Sequence, residues 1–418
     1  MVWTVLPLVL VALVYFCIVE NTGSARRGNY TFRKIARTLR IPLQPFSLND
    51  SDRAEANANA ESWKRKFVIE FPALNITKHQ VPDEENGFRL LYELGKGSLP
   101  ISDEFAQILS EVSECDLEVA KRCLSEHSDV VAKVERIGSL QTRSSTDMPE
   151  DYIGFISARA GKQSAEILLL KARLAAVAQD EKEALRYFSA AINLADHYCE
   201  VEAPSLLSAT VSILIDLSSQ TIAFKSLLPA LGKSADLEQW KALLCRREYT
   251  TAQFAHWIRG EWQNGADFMA FPLLAQSEKQ GDIPDAEAVC RRYSSWINQV
   301  ITKLPSLGLA EFETALPPLT ATPRLSKEGH DILEVMIQGL DRWGKGYVRA
   351  AVVRAQGRAA MDLLILERSG TEIMADDVRR ITVDPVSSQP YAFDPTKREI
   401  AVPSHSASME ILPLALPW

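Results

Sequence analysis

Hydrophobic and polar positions divide this chain into three texts. Residues 2–19 run without a charge and are dominated by Val, Leu, Ala, Phe and Tyr. At about 1.5 Å rise per residue such a run just crosses a hydrocarbon core, so it predicts one N-terminal transmembrane helix over residues 1–20. A cleaved secretory signal, with small residues at Gly23 and Ala25, is the competing reading, but the run exceeds the usual h-region and no basic residue precedes it. Phe32, Ile35, Ala36 and Leu39 then recur at helical spacing among basic residues, the pattern of a short helix lying at a headgroup surface.

From residue 81 onward the apolar period is overwhelmingly helical. Val81-Pro82-Asp83-Glu84-Glu85-Asn86 predicts a helix start, because Pro fits the first turn and acidic groups complement the helix dipole; Gly95 predicts its stop. Further helices are predicted over 102–136, 151–160, 163–179, 181–199, 203–231, 236–247, 251–266, 284–304, 327–343 and 347–368. Ala184, Phe188 and Ala191, with Leu168 and Ala172, sit at the spacing of a tetratricopeptide hairpin. A shift of 34 residues from Ala184 lands on Ser218 and loses the pattern, so one ordinary helical hairpin is expected.

Two stretches read differently. Residues 21–80, with Pro42, Pro45, a polar run from Asn49 to Glu61 and Pro72, read as basic neck and linker holding one short strand at 67–71. Residues 370–418 turn Pro-rich and β-branched. Strands are expected at 389–393 and 398–402 around the turn Asp394-Pro395-Thr396-Lys397, and the apolar tail 413–418 is expected to pack on its own domain. The resulting fold class is mainly α, with a transmembrane helix, an irregular helical bundle and hairpin body (81–305), a long-helix region (306–369) and a small β-hairpin-containing end.

Composition adds a class and an asymmetry. The chain has 418 residues, 46% hydrophobic and 24% charged, which excludes disorder, collagen and a multi-span transporter. Its net charge of −8 is unevenly placed: residues 1–80 hold 11 basic and 6 acidic groups, leaving 81–418 at −13. Arg26, Arg27, Arg33, Lys34, Arg37 and Arg40 are the membrane-surface residues of this basic neck, with the lipid bilayer as partner, and such an excess favours a cytoplasmic body. The acidic body argues against nucleic acid.

Candidate chemistry is sparse. Five cysteines beyond Cys17 (Cys115, Cys123, Cys199, Cys245, Cys290) all fall in predicted helices, so no disulfide framework is expected. Cys115, Cys123 and His127 share a helical face but lack metal-ligand spacing, so no metal or cofactor is predicted. Cys245 and His256 could form a thiol–imidazole pair only if a turn folded them together. Gly95-Lys96-Gly97-Ser98 reads as a helix stop and Gly344-Lys345-Gly346-Tyr347 as a break between two helices, since neither carries the full phosphate-loop pattern. Asp83-Glu84-Glu85 is explained by its place at a helix start. The densest cluster of chemically able groups is His256, Arg259 and Glu261, flanked by Trp257 and Trp262. No catalytic residue is assigned.

Several short motifs resemble a family of bacterial proteins with one N-terminal membrane anchor. They are Glu20-Asn21 with Arg26-Arg27, then 81–86, Glu202-Ala203-Pro204-Ser205-Leu206-Leu207 with Arg259-Gly260-Glu261, Leu366-Glu367-Arg368, Asp384-Pro385 and Gln389-Pro390-Tyr391. The ending resembles the C-terminal part of type II secretion pseudopilins, although Val386 replaces the aromatic and no Gly- and Asp-rich calcium loop follows. The resemblance implies an extracytoplasmic body, against the charge rule. The expected function is a single-pass, membrane-anchored interaction or scaffolding module. The alternatives are a pseudopilin-like secretion component and an enzyme whose site, built around His256 and Glu261, is invisible in sequence.

Overall fold

The computed structural model describes residues 50–96, 99–146, 148, 158–268, 270–312, 325–370, 373–374, 377–403 and 411–418. The expected anchor, the six basic residues of the expected neck and residues 151–157 of one expected helix lie outside them.

The chain is mainly helical, and its described residues hold one small antiparallel sheet. Its helices are α1 (Asp50–Glu70), α2 (Gly87–Leu94), α3 (Asp103–Ser110), α4 (Leu117–Glu126), α5 (Ser128–Ser139), α6 (Ala158–Val177), α7 (Glu181–Cys199), α8 (Leu206–Ile222), α9 (Leu228–Leu231), α10 (Leu237–Leu244), α11 (Thr251–Phe268), α12 (Ala270–Gln280), α13 (Ala286–Lys303) and α14 (Lys327–Arg368). The strands β1 (Ala392–Asp394), β2 (Glu399–Ala401) and β3 (Leu414–Ala415) form a sheet in that order, with Phe393 opposite Ile400 and Ile400 opposite Leu414.

Two hydrophobic cores result. One joins α2 to α10 with the C-terminal sheet; the other joins α1, α11, α12, α13 and the first half of α14. Helix α14 crosses both, burying Leu333 to Ala351 in the second and Ala359 to Leu364 in the first. The stretch Leu206–Ser234, which covers α8, a π-helical turn and α9, is long and apolar enough to cross a membrane, yet 72% of its apolar window is buried inside the fold.

Several expectations need correction. The polar run from Asp50 to Glu61 and residues 67–70 of the expected strand belong to α1. Among its described side chains only Ala56, Ala60, Trp63 and Phe67, at i, i+4, i+7 and i+11, are buried, a stripe too narrow to dominate the pattern. Phe67 meets Phe271 edge-on at 5.9 Å, and this tertiary contact overrides the strand-like text. The 102–136 segment is three helices. Asp116 accepts from the amides of Glu118 and Val119 and starts α4; the His127 ring, with Nδ1 2.8 Å from the Cys123 carbonyl, marks its end. Helix α12 adds to the expected helices: Pro272 stands in its first turn, where a missing N–H costs nothing.

The Gly344 break is absent, and α14 runs unbroken for 42 residues. A Cβ at Gly344 would lie 2.6 Å from Phe312 Cε1, so this glycine admits the aromatic rings of Phe312 and Phe254. The hairpin of α6 and α7 stands as one unit, with Leu168, Ala172, Ala184, Phe188 and Ala191 fully buried. The C-terminal hairpin forms about its expected turn, where Asp394 accepts from the amides of Thr396 and Lys397. The tail docks as expected through β3 and Leu416, while Gln356 donates to the Ile400 and Leu412 carbonyls.

Candidate functional site

The sequence cluster on α11 faces the chain that links α7 to α8. Trp257 Nε1 donates to the Cys199 carbonyl (3.1 Å), His256 Nε2 meets the Val201 carbonyl (2.9 Å), and Asn264 Nδ2 donates to the Ala203 carbonyl (2.9 Å). Gly260 lies so close to Pro204 that a Cβ there would come within 2.3 Å of its carbonyl oxygen. Glu261 accepts from the Leu206 amide (2.8 Å) at the start of α8. The motifs 202–207 and 259–261 are therefore two sides of one contact.

A third motif joins them. Asn86 caps α2 and also exchanges two hydrogen bonds with the Ser144 backbone. Glu202 accepts from Ser144 Oγ, Ser145 N and Ser145 Oγ. The short segment 142–146 is thus clamped from both sides, and Arg143 between the clamps extends toward α7. The result is a surface cleft of about 400 Å³ lined by His79, Arg143, Cys199, Glu200, Val201, Glu202, Gln253 and His256. Of the sequence-selected cluster, His256 alone lines it; Arg259 approaches the His256 ring at 3.5 Å, and Glu261 points to α8.

Beneath the cleft lies an ionic network that the sequence did not flag. Arg247, whose side chain is 3% exposed, donates through Nη1 to Asp216 Oδ2 and Ser212 Oγ (both 2.6 Å) and through Nη2 to Asp196. Tyr249 donates to Asp216 at 2.7 Å. Arg246 pairs with Asp196 at 2.8 Å, and Arg143 reaches Asp196 at 3.6 Å and Glu200 at 3.5 Å. The available signal was an ionisable residue inside largely apolar text: Asp196 follows Ala190 to Ala195, broken only by Asn193, and Asp216 stands within Ile213 to Leu217.

These surroundings shift the titrating groups. Burial, aided by Arg259, depresses His256, against the opposing pull of the Val201 carbonyl. Burial raises the Glu261 carboxyl to about 7, partly offset by the Leu206 N–H. Burial and the neighbouring Asp196 charge raise Glu200.

The remaining sequence candidates are placed elsewhere. His127 Nε2 accepts from the Ser102 amide, Cys115 lies beside Arg173, and Cys123 is in the core, so the shared face becomes helix ends and packing. Cys245 lies at the end of α10, its carbonyl accepting from Arg358, while His256 turns to Val201. Among the described residues the five cysteines are unbridged. Asp83 pairs with Arg89 at the start of α2. A group that could hold a metal, His330, Asp331 and Glu334, sits on the first turns of α14. Searches against protein-family models, curated proteins and solved structures find no match to the chain.

Proposed function

We propose that this chain is a membrane-tethered binding module whose helical body presents the cleft over α7 and α11 to a partner. The observation that carries the reading is the commitment of the chemically able groups near the cleft: His256 holds the Val201 carbonyl, Glu261 the Leu206 amide, and Asp196, Asp216 and Arg247 one another. Groups so engaged fix a surface rather than offer a free acid, base or nucleophile, which favours binding over catalysis. The tether rests on the apolar run 2–19 and the basic neck after it. The β-hairpin follows α14 at the C-terminal end rather than an N-terminal helix, which favours this reading over a pseudopilin-like one.

A photo-reactive amino acid at His79, on the exposed lip of the cleft, tests the reading in native membranes. Reproducible adducts that fail to form when the reactive group is moved to exposed Leu412 are the expected result. Equal or absent labelling at both positions refutes it.

A further inference from the structure

Beneath the cleft, and reaching its lining through Arg143 and Glu200, lies a balanced set of three guanidinium groups, Arg143, Arg246 and Arg247, and three carboxylates, Asp196, Asp216 and Glu200. The six are not held alike. Asp196 and Asp216 are buried and each is hydrogen-bonded to Arg247 through one oxygen, Oδ1 and Oδ2 respectively, whereas the Glu200 side chain is 45% exposed. Its oxygens stop 3.5 Å from Arg143 Nη1 and 3.9 Å from Arg247 Nε, beyond good hydrogen-bonding distance. Those two nitrogens are also buried N–H donors without a hydrogen-bond acceptor among the described residues. A buried donor left unpaired costs about 1–3 kcal/mol, more when charged, so both face a position that Glu200 occupies poorly.

We propose that the cleft is a carboxylate-binding subsite in which a ligand carboxylate displaces Glu200 and accepts from Arg143 Nη1 and Arg247 Nε. Glu200 is the exposed member of the set and can swing outward into solvent. The exchange replaces one monoanion by another, so the buried charges stay balanced, whereas a phosphate dianion would add a further negative charge to a set that is already neutral. A planar two-oxygen group also matches the fork geometry of guanidinium donors. Glu202 stays in place because its carboxylate is spent on Ser144 and Ser145. His79 and Gln253 line the remaining space and would face the rest of the ligand.

The inference rests on the cleft being a binding surface and names what it binds. The test is thermal unfolding of the full chain in detergent with acetate as probe, against sodium phosphate and sodium chloride at equal ionic strength. Expected is saturable stabilisation by acetate, with half-saturation shifted about tenfold lower in Glu200→Ala because the internal competitor is gone. In the Glu200→Ala background, Arg143→Met should abolish the effect and Arg143→Lys, which keeps the charge and loses the fork, should weaken it. Native-like circular dichroism of each variant guards against misfolding. Indistinguishable acetate curves for the native chain and Glu200→Ala, equal effects of chloride, or stronger stabilisation by phosphate would each overturn the proposal. Cleft labelling at His79 that persists without acetate binding would sink the ligand class and leave the binding module standing.

Discussion

Glu261 offers the sharpest test of how this body is held together. Its carboxyl accepts from the Leu206 amide at the start of α8, and among the described residues no basic group pairs with it. Burial raises its pKa from 4.5 to about 7. A raised folded-state pKa means the folded chain holds the proton more tightly than the unfolded chain. The associated stability is complete below pH about 4.5, declines as pH rises through 7, and is flat above. A rise from 4.5 to about 7 corresponds to a ceiling of about 3.4 kcal/mol. Because the side chain retains some exposure, solvent screening lowers this to about 1–2 kcal/mol. Glu261→Gln keeps an oxygen for the Leu206 amide and removes the titration. Urea unfolding of both chains from pH 4.5 to 8.5 should show the variant gaining about 1–2 kcal/mol relative to the native chain, all of it between pH 4.5 and 7.5. Glu166, also raised to about 7 by burial against the pull of Lys162, leaves its own slope in both chains and cancels in the difference. Parallel curves would show that Glu261 ionises freely in the fold and would refute the reasoning.

The other expectations follow from packing and charge. Gly344→Ala should destabilise by about 1–3 kcal/mol, since the new methyl meets Phe312; a gain of about 1 kcal/mol, as for a glycine in an open helix, would contradict the packing account. Trp63→Ala should cost about 3–5 kcal/mol by calorimetry if α1 belongs to the second core, and a change below about 0.5 kcal/mol would return residues 50–70 to a linker. Asp216→Asn strips the charge from the Arg247 and Tyr249 partner and should cost about 3–5 kcal/mol in denaturant unfolding; unaltered stability would mean that the network is not buried.

By itself the sequence determined the elements whose pattern is local. Glu181–Cys199 reads as a helix because its apolar residues repeat at helical spacing, and the C-terminal hairpin reads from its Asp-Pro turn between two short runs, one with Tyr391 and Phe393 and the other with Ile400 and Val402. Where the local signal was weak or double-valued, tertiary contacts decided. Helix α1 carries a stripe of four small and aromatic residues that matters only against the core it shares with α11, α12 and α13, where Phe67 meets Phe271. Gly344 is a helix breaker on paper and a slot for Phe312 in the fold. The site shows the same division more strongly. His256, Arg259 and Glu261 were visible because they cluster along six residues, but clustering in sequence does not make a site: of these three only His256 reaches the cleft. Arg143, Asp196, Glu200, Asp216 and Arg247 span more than a hundred residues, and each alone resembles a stray charge. Long-range folding brings them within ion-pairing distance, because a buried charge is tolerable only where another element supplies its partner. Helical periodicity is written residue by residue, whereas the pairing of charges across α7, α8 and the chain after α10 exists only once those elements have packed.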